Sequence, residues 1–272
     1  LPDETTLWLS PLATWGETIR LGGHTLPRQP VPPGAEFVAT FYLQATRPIT
    51  TNLNVLLRLV DQQGGELVRS EGWPWGAATS GWEPGAVWPD GHDMQLPANA
   101  APGVYRAEMS FYDPATLETL GDVATVGYLV VGEPVAETPP PLAEFGGQLQ
   151  LLGARINAAQ QPGQAGNELV VELTWQASSR PQADYTTFIH LLGPDGEIIA
   201  QQDQPPLAGF YPTHWWRPGI PVTDTIQLAL PPGDPPDGPL RLVLGLYEPT
   251  SGQRLPITVA GAPIGDAFEV GE

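Results

Sequence analysis

The chain has 272 residues, with 30 acidic side chains against 11 basic ones and a formal charge of −19. It contains no Cys and no Lys, so all 11 bases are Arg. These counts exclude disulfides, thiolate metal sites, cysteine nucleophiles and lysine chemistry, from phosphate loops to Schiff bases. Nucleic acid and anionic lipid are also excluded as partners, because both are bound mainly by Lys and Arg meeting phosphate.

A 41% hydrophobic content supports real cores, and the length favours two domains. The 31 Gly and 33 Pro fall between apolar runs and read as turns. No apolar run approaches the roughly 20 residues of a membrane helix. The start at Leu1, without a signal sequence, suggests a processed protein or a piece of a longer one.

Short runs rich in Val, Leu, Thr and aromatics predict strands near 19–24, 36–45, 53–61, 66–70, 92–96, 103–112 and 123–131. Turn chemistry separates them, as in Pro32-Pro33-Gly34, Gln63-Gly64-Gly65 and Asp113-Pro114. Residues 134–144, with Pro139-Pro140-Pro141, predict a stiff extended linker. A second set of strands follows near 151–156, 168–177, 185–193, 197–202, 223–230, 239–247 and 264–270. No stretch carries a helical period with caps.

The two sets match each other. Phe37-Val-Ala-Thr-Phe41-Tyr-Leu-Gln-Ala45 aligns with Leu169-Val-Val-Glu-Leu173-Thr-Trp-Gln-Ala177, and Val55–Val60 aligns with Thr187–Leu192. Trp82-Glu-Pro-Gly85 aligns with Trp216-Arg-Pro-Gly219, and Phe111-Tyr-Asp-Pro114 with Leu246-Tyr-Glu-Pro249. Both copies end on Val-Gly-Glu, at Val131 and Val270. Blocks kept in order at a slowly drifting offset are a tandem duplication. The expected fold is therefore all-β: two tandem antiparallel immunoglobulin-like β-sandwich modules, 1–133 and 145–272.

Six of the nine Trp fall in two equivalent connections, after the fourth strand of each copy. There, flat rings offer apolar area with a polar handle, suited to stacking on sugar or Pro-rich peptide. Trp82 and Trp216 recur in both copies and read as structural plugs. The candidate ligand-binding residues are Trp73, Trp75, Trp88, Tyr211 and Trp215. His190, mid-strand opposite Arg58 in the alignment, predicts a cross-strand contact to an acid such as Asp203. His24, His92 and His214 stand isolated, without metal-ligand spacing. Asp90-Gly-His-Asp93 and Asp234-Pro-Pro-Asp237 fall short of a calcium loop and read as turns. None of the seven Ser sits in a nucleophile motif. The sequence thus predicts no catalytic residue, no metal and no cofactor.

The second copy carries Leu151-Leu-Gly153, Leu173-Thr-Trp-Gln-Ala177, Asp184-Tyr-Thr-Thr-Phe-Ile-His-Leu-Leu192, Trp216-Arg-Pro-Gly219 with Asp224, and Leu242-Val-Leu-Gly-Leu-Tyr-Glu-Pro249 followed by Gly252-Gln-Arg-Leu-Pro256. This ensemble resembles the C-terminal, extracytoplasmic β-sandwich modules of bacterial multi-pass glycosyltransferases of the protein-mannosyltransferase type. The resemblance implies a non-catalytic soluble tail of a membrane enzyme, located in the periplasm or at the cell surface. A glycan or an envelope protein would be its partner. It carries over no catalytic residue, since catalysis in those enzymes belongs to segments outside such modules. The alternative is a purely structural spacer or protein–protein module.

Overall fold

The computed structural model describes residues 10–135, 137–160, 167–232 and 238–271. The chain divides into two compact units, Leu1–Pro134 and Val135–Glu272. Among the described residues, the strands pair antiparallel, in four sheets. Among the described residues, no helix is long and apolar enough to cross a membrane.

The first unit contains β1 (Ala13–Trp15), β2 (Ile19–His24), β3 (Glu36–Ala45), β4 (Asn54–Val60), β5 (Glu66–Gly72), β6 (Val87–Gln95), β7 (Gly103–Tyr112) and β8 (Ala124–Val131). One sheet runs β1-β2-β3-β6 and the other β5-β4-β7-β8. Strand side chains alternate between faces, so each sheet turns one apolar row inward. Leu21, Phe41 and Leu43 from the first sheet and Leu57, Leu59 and Phe111 from the second share one hydrophobic cluster. The unit is thus sandwich-like, and each such side chain contributes about 1.5–3 kcal/mol by leaving water. Trp15 pins the two sheets together. Its Nε1–H donates to the Met109 carbonyl at 3.2 Å, and its ring meets Phe111 edge-on at 4.9 Å.

The second unit contains β9 (Ala143–Phe145), β10 (Leu149–Gln160), β11 (Asn167–Ala177), β12 (Thr186–Leu192), β13 (Ile198–Gln204), β14 (Pro221–Ala229), β15 (Arg241–Tyr247), β16 (Ile257–Val259), β17 (Ala262–Gly265) and β18 (Phe268–Glu269). Its sheets run β14-β11-β10-β9-β16-β17 and β13-β12-β15-β18. The duplication reaches into irregularities. A bulge at Leu21/Gly23 recurs at Leu151/Gly153, and one at Leu59/Val60 recurs at Leu191/Leu192.

Two expected strands differ from those found. The strand expected at 92–96 begins at Val87, because Pro89 and Asp90-Gly91 look like a turn but lie within β6. That strand is an edge, where Pro lacks a donor that would in any case go unpaired. The strand expected at 264–270 is divided. β17 folds back on β16 through Ala260 and Gly261, both at positive φ as a two-residue hairpin requires, and only β18 reaches β15. The strands β1, β9 and β16, three residues each, have no clear sequence signal. β9 begins within the stretch expected to be linker. Asp234 and Asp237 lie outside the described residues.

Candidate functional site

The aromatic connections, β5 to β6 and β13 to β14, are built alike. Each holds two 3-10 turns, at Pro74–Gly76 and Thr79–Gly81 in the first unit and at Pro206–Gly209 and Thr213–Trp215 in the second. The first turn places a non-glycine residue in the left-handed region, Trp75 at φ 56° and Leu207 at φ 52°. Such a residue costs about 1–2 kcal/mol. A buried carboxylate on the next strand holds it there: Asp90 Oδ1 accepts the Trp75 N–H at 2.6 Å, and Asp224 Oδ1 accepts the Leu207 N–H at 2.9 Å.

A buried threonine clamps the second turn. Thr79 Oγ1 accepts the Leu53 N–H and donates to the Thr51 carbonyl; Thr213 Oγ1 does the same for Tyr185 and Ala183. Trp82 and Trp216 then enter the interior at 3% and 2% exposure, and the Pro-Gly after each returns an N–H to the third strand of its repeat, at Ala45 and Ala177. These two indoles are structural, as their recurrence predicts.

What the duplication does not share is a short aromatic ladder in the first unit. Trp88, half-buried, stacks on Trp82 at 5.3 Å with the planes 9° apart. Trp75 meets the other end edge-on at 5.1 Å. Trp73 and Trp75 stand 50% and 52% exposed. In the second unit, Leu207 takes the place of Trp75 and Val222 that of Trp88. The structure therefore joins Trp75 to Trp88 and leaves Trp73 open on the same connection.

Tyr211 does not belong with the candidate ligand-binding residues. It is 1% exposed, its hydroxyl donates to the Trp215 carbonyl at 3.1 Å, and its own carbonyl accepts the Trp216 Nε1–H at 2.9 Å. Trp215 is half-buried beside His214, whose ring the Asp184 carboxylate holds at 2.8 Å.

His92 is not isolated. Asp90 and His92 are two apart on β6 and face the same way, into the core at 2% and 4% exposure. His92 Nε2 meets Asp90 Oδ2 at 2.9 Å, and its Nδ1 meets Ser70 Oγ of β5 at 2.9 Å. The second unit explains this chain. There Ile226 replaces His92 and Gln202 replaces Ser70, yet Asp224 still clamps its turn. Asp224 Oδ2 has no partner, and burial pushes its carboxyl above the usual range. The carboxylate clamp is the shared device, and His92 with Ser70 satisfies its second oxygen in one unit only. Asp93 faces outward, on the opposite face of β6 from Asp90. Among the described residues, no three His, Asp or Glu side chains converge as metal ligands.

His190 meets the expected acid in part. Asp203 accepts the Tyr247 hydroxyl at 3.1 Å, while His190 rests on Phe188 at 5.0 Å. Burial, then the neighbouring Arg254, lowers the His190 pKa, and the charge of Asp203 across the strands opposes that shift. The aligned Arg58 pairs with Glu108 at 2.8 Å, and Val243 stands where Glu108 would be, so that acid has no counterpart beside His190.

No family model matches the chain, and no curated protein matches it. Among solved structures, an exo-chitosanase of Amycolatopsis orientalis in complex with PNP-β-D-glucosamine is similar over 82% of this chain, at 12% identity and a TM-score of 0.24. The chain spans 25% of that protein's length. A likeness of that size carries no argument about function.

Proposed function

We propose that the chain is a tandem pair of immunoglobulin-like β-sandwich modules that holds a glycan or a glycan acceptor without catalysing its transfer. Its setting is outside the cytoplasmic membrane, as the soluble tail of a multi-pass glycosyltransferase. The observation that carries the binding role is the exposed pair Trp73 and Trp75, with Trp75 braced by Trp88. Half-exposed indoles keep apolar area in water unless a flat partner covers them, and a sugar ring is such a partner. The charge of −19 disfavours anionic polymers and leaves neutral glycans. The strand order, with β2-β3-β6 set against β5-β4-β7-β8, supports the immunoglobulin-like reading. The sequence resemblance supports the setting.

Calorimetric titration with neutral envelope oligosaccharides tests the role. Saturable binding by the parent chain is expected, lost in W73A/W75A at unchanged thermal stability. Binding by neither protein, or equal binding by both, overturns it.

A second reading, a spacer or protein–protein module, is favoured by one observation. Trp82, Trp216 and Tyr211 are consumed in holding the connections together. It expects no glycan to bind at any concentration and the two units to serve only as rigid spacers.

A further inference from the structure

A cleft of about 340 Å³ opens at one end of the first unit, beside the Thr79 clamp and lined by none of the tryptophans. Its floor is apolar and buried, from Ile49 and Leu53, with Leu120 half-buried beside them. Its rim is polar and carries Arg47, Asp113 and Glu118 with several threonine hydroxyls. The Arg47 guanidinium is fixed in place: Nε donates to Thr18 Oγ1 at 2.9 Å and Nη2 to the Gly16 carbonyl at 2.8 Å.

The second unit carries larger side chains at the same place. Gln148 aligns with Thr18, since each returns its N–H to the residue three before, Phe145 or Trp15. Tyr185 aligns with Leu53 through the matching threonine clamps. Gln148 Nε2 donates to the Tyr185 hydroxyl at 3.0 Å, and its Oε1 accepts the Gln182 N–H at 3.0 Å. A phenol bonded to an amide therefore stands at the end of one unit. In the other, leucine and threonine stand there and line the cleft.

We propose that this cleft binds one neutral saccharide unit, at a site separate from the tryptophans. A pyranose has an apolar face for the leucine floor and ring hydroxyls that take hydrogen bonds from a guanidinium and give them to carboxylates. Two carboxylates against one guanidinium select against anionic sugars. The volume lies at the lower end of the ~300–1,000 Å³ typical of small-ligand pockets.

The test is methyl NMR of the intact chain titrated with maltotriose, cellotriose and mannotriose to about 10 mM, with glucuronic acid as the anionic probe. Saturable shifts of the Ile49, Leu53 and Leu120 methyls are expected with at least one neutral trisaccharide. They should persist in W73A/W75A, which separates this site from the one proposed above. Transplanting the second unit's side chains, T18Q/L53Y, should abolish them. R47A, an exposed substitution that spares the floor, should weaken binding by about 10-fold or more. No saturable shift with any neutral probe overturns the proposal. So do equal binding of glucuronic acid, loss of the shifts in W73A/W75A, or affinity unchanged in R47A.

Discussion

Asp90 and Asp224 perform one task with unequal support. Each fixes a left-handed turn through Oδ1, but only Asp90 has a partner, His92, for its second oxygen. D90N should cost about 1–3 kcal/mol, the usual consequence of disturbing a buried charge-assisted bond. D224N should behave differently. Burial raises the Asp224 pKa above its unfolded value of 3.8, so the fold favours the protonated form. The penalty is absent below that value and grows as pH rises through the raised folded pKa. D224N should therefore stabilise the chain at pH 7 relative to the parent and lose that advantage toward pH 4. Urea unfolding of both variants at the two pH values checks the contrast, and a stabilising D90N would contradict it. At this scale, recurrence was the readable signal. Trp82 and Trp216 announce themselves as structural because both copies keep them. Tyr211 does not, since its burial depends on a backbone carbonyl it offers to Trp216. The pairing of His92 with Ser70 spans two sheets, and only the i, i+2 spacing of Asp90 and His92 hints at it.

Among the elements, alternation and turn residues place most strands within a residue or two of where they lie. The failures have physical causes. Pro89 and Asp90-Gly91 carry turn chemistry, but an edge strand tolerates both, so β6 starts early. The C-terminal segment reads as one strand, yet the Ala260-Gly261 turn sends β17 to the opposite sheet from β18. The two connections also rank their aromatic residues by energetic role. W82A and W216A should each destabilise by about 3–5 kcal/mol, since a buried indole leaves a cavity that the sheets cannot close. W73A should shift stability by no more than about 0.5 kcal/mol, because an exposed ring makes little of the core. Thermal or denaturant unfolding of the three variants decides the ranking. A W73A loss comparable to W82A would mean that Trp73 is part of the fold.

At the scale of the whole molecule, the acidic, lysine-free composition and the duplication are plain in the sequence, while the division of labour between the copies is not. Both units contain the same clamps, bulges and plugs. The first adds an exposed tryptophan pair and a cleft at one end, where the second has Leu207 and sets Tyr185 bonded to Gln148 at the equivalent place. These differences rest on single substitutions within a shared frame, which a repeat comparison records as mere divergence. Each unit also buries aromatic and aliphatic side chains of its own, from Trp15 and Phe41 in one to Phe145 and Trp175 in the other. Fragments 1–134 and 135–272 should accordingly each unfold cooperatively when expressed alone, as followed by circular dichroism. A fragment that folds only when mixed with the other would show that the units depend on one another.

The exposed tryptophans carry the proposed role, and the indole N–H signals of the intact chain test it most directly. In a ¹H–¹⁵N titration with a neutral oligosaccharide, Trp73 and Trp75 should move saturably while Trp15, Trp82, Trp175 and Trp216 stay still. No movement of Trp73 and Trp75 with any neutral glycan, or movement led by the buried indoles, would contradict it.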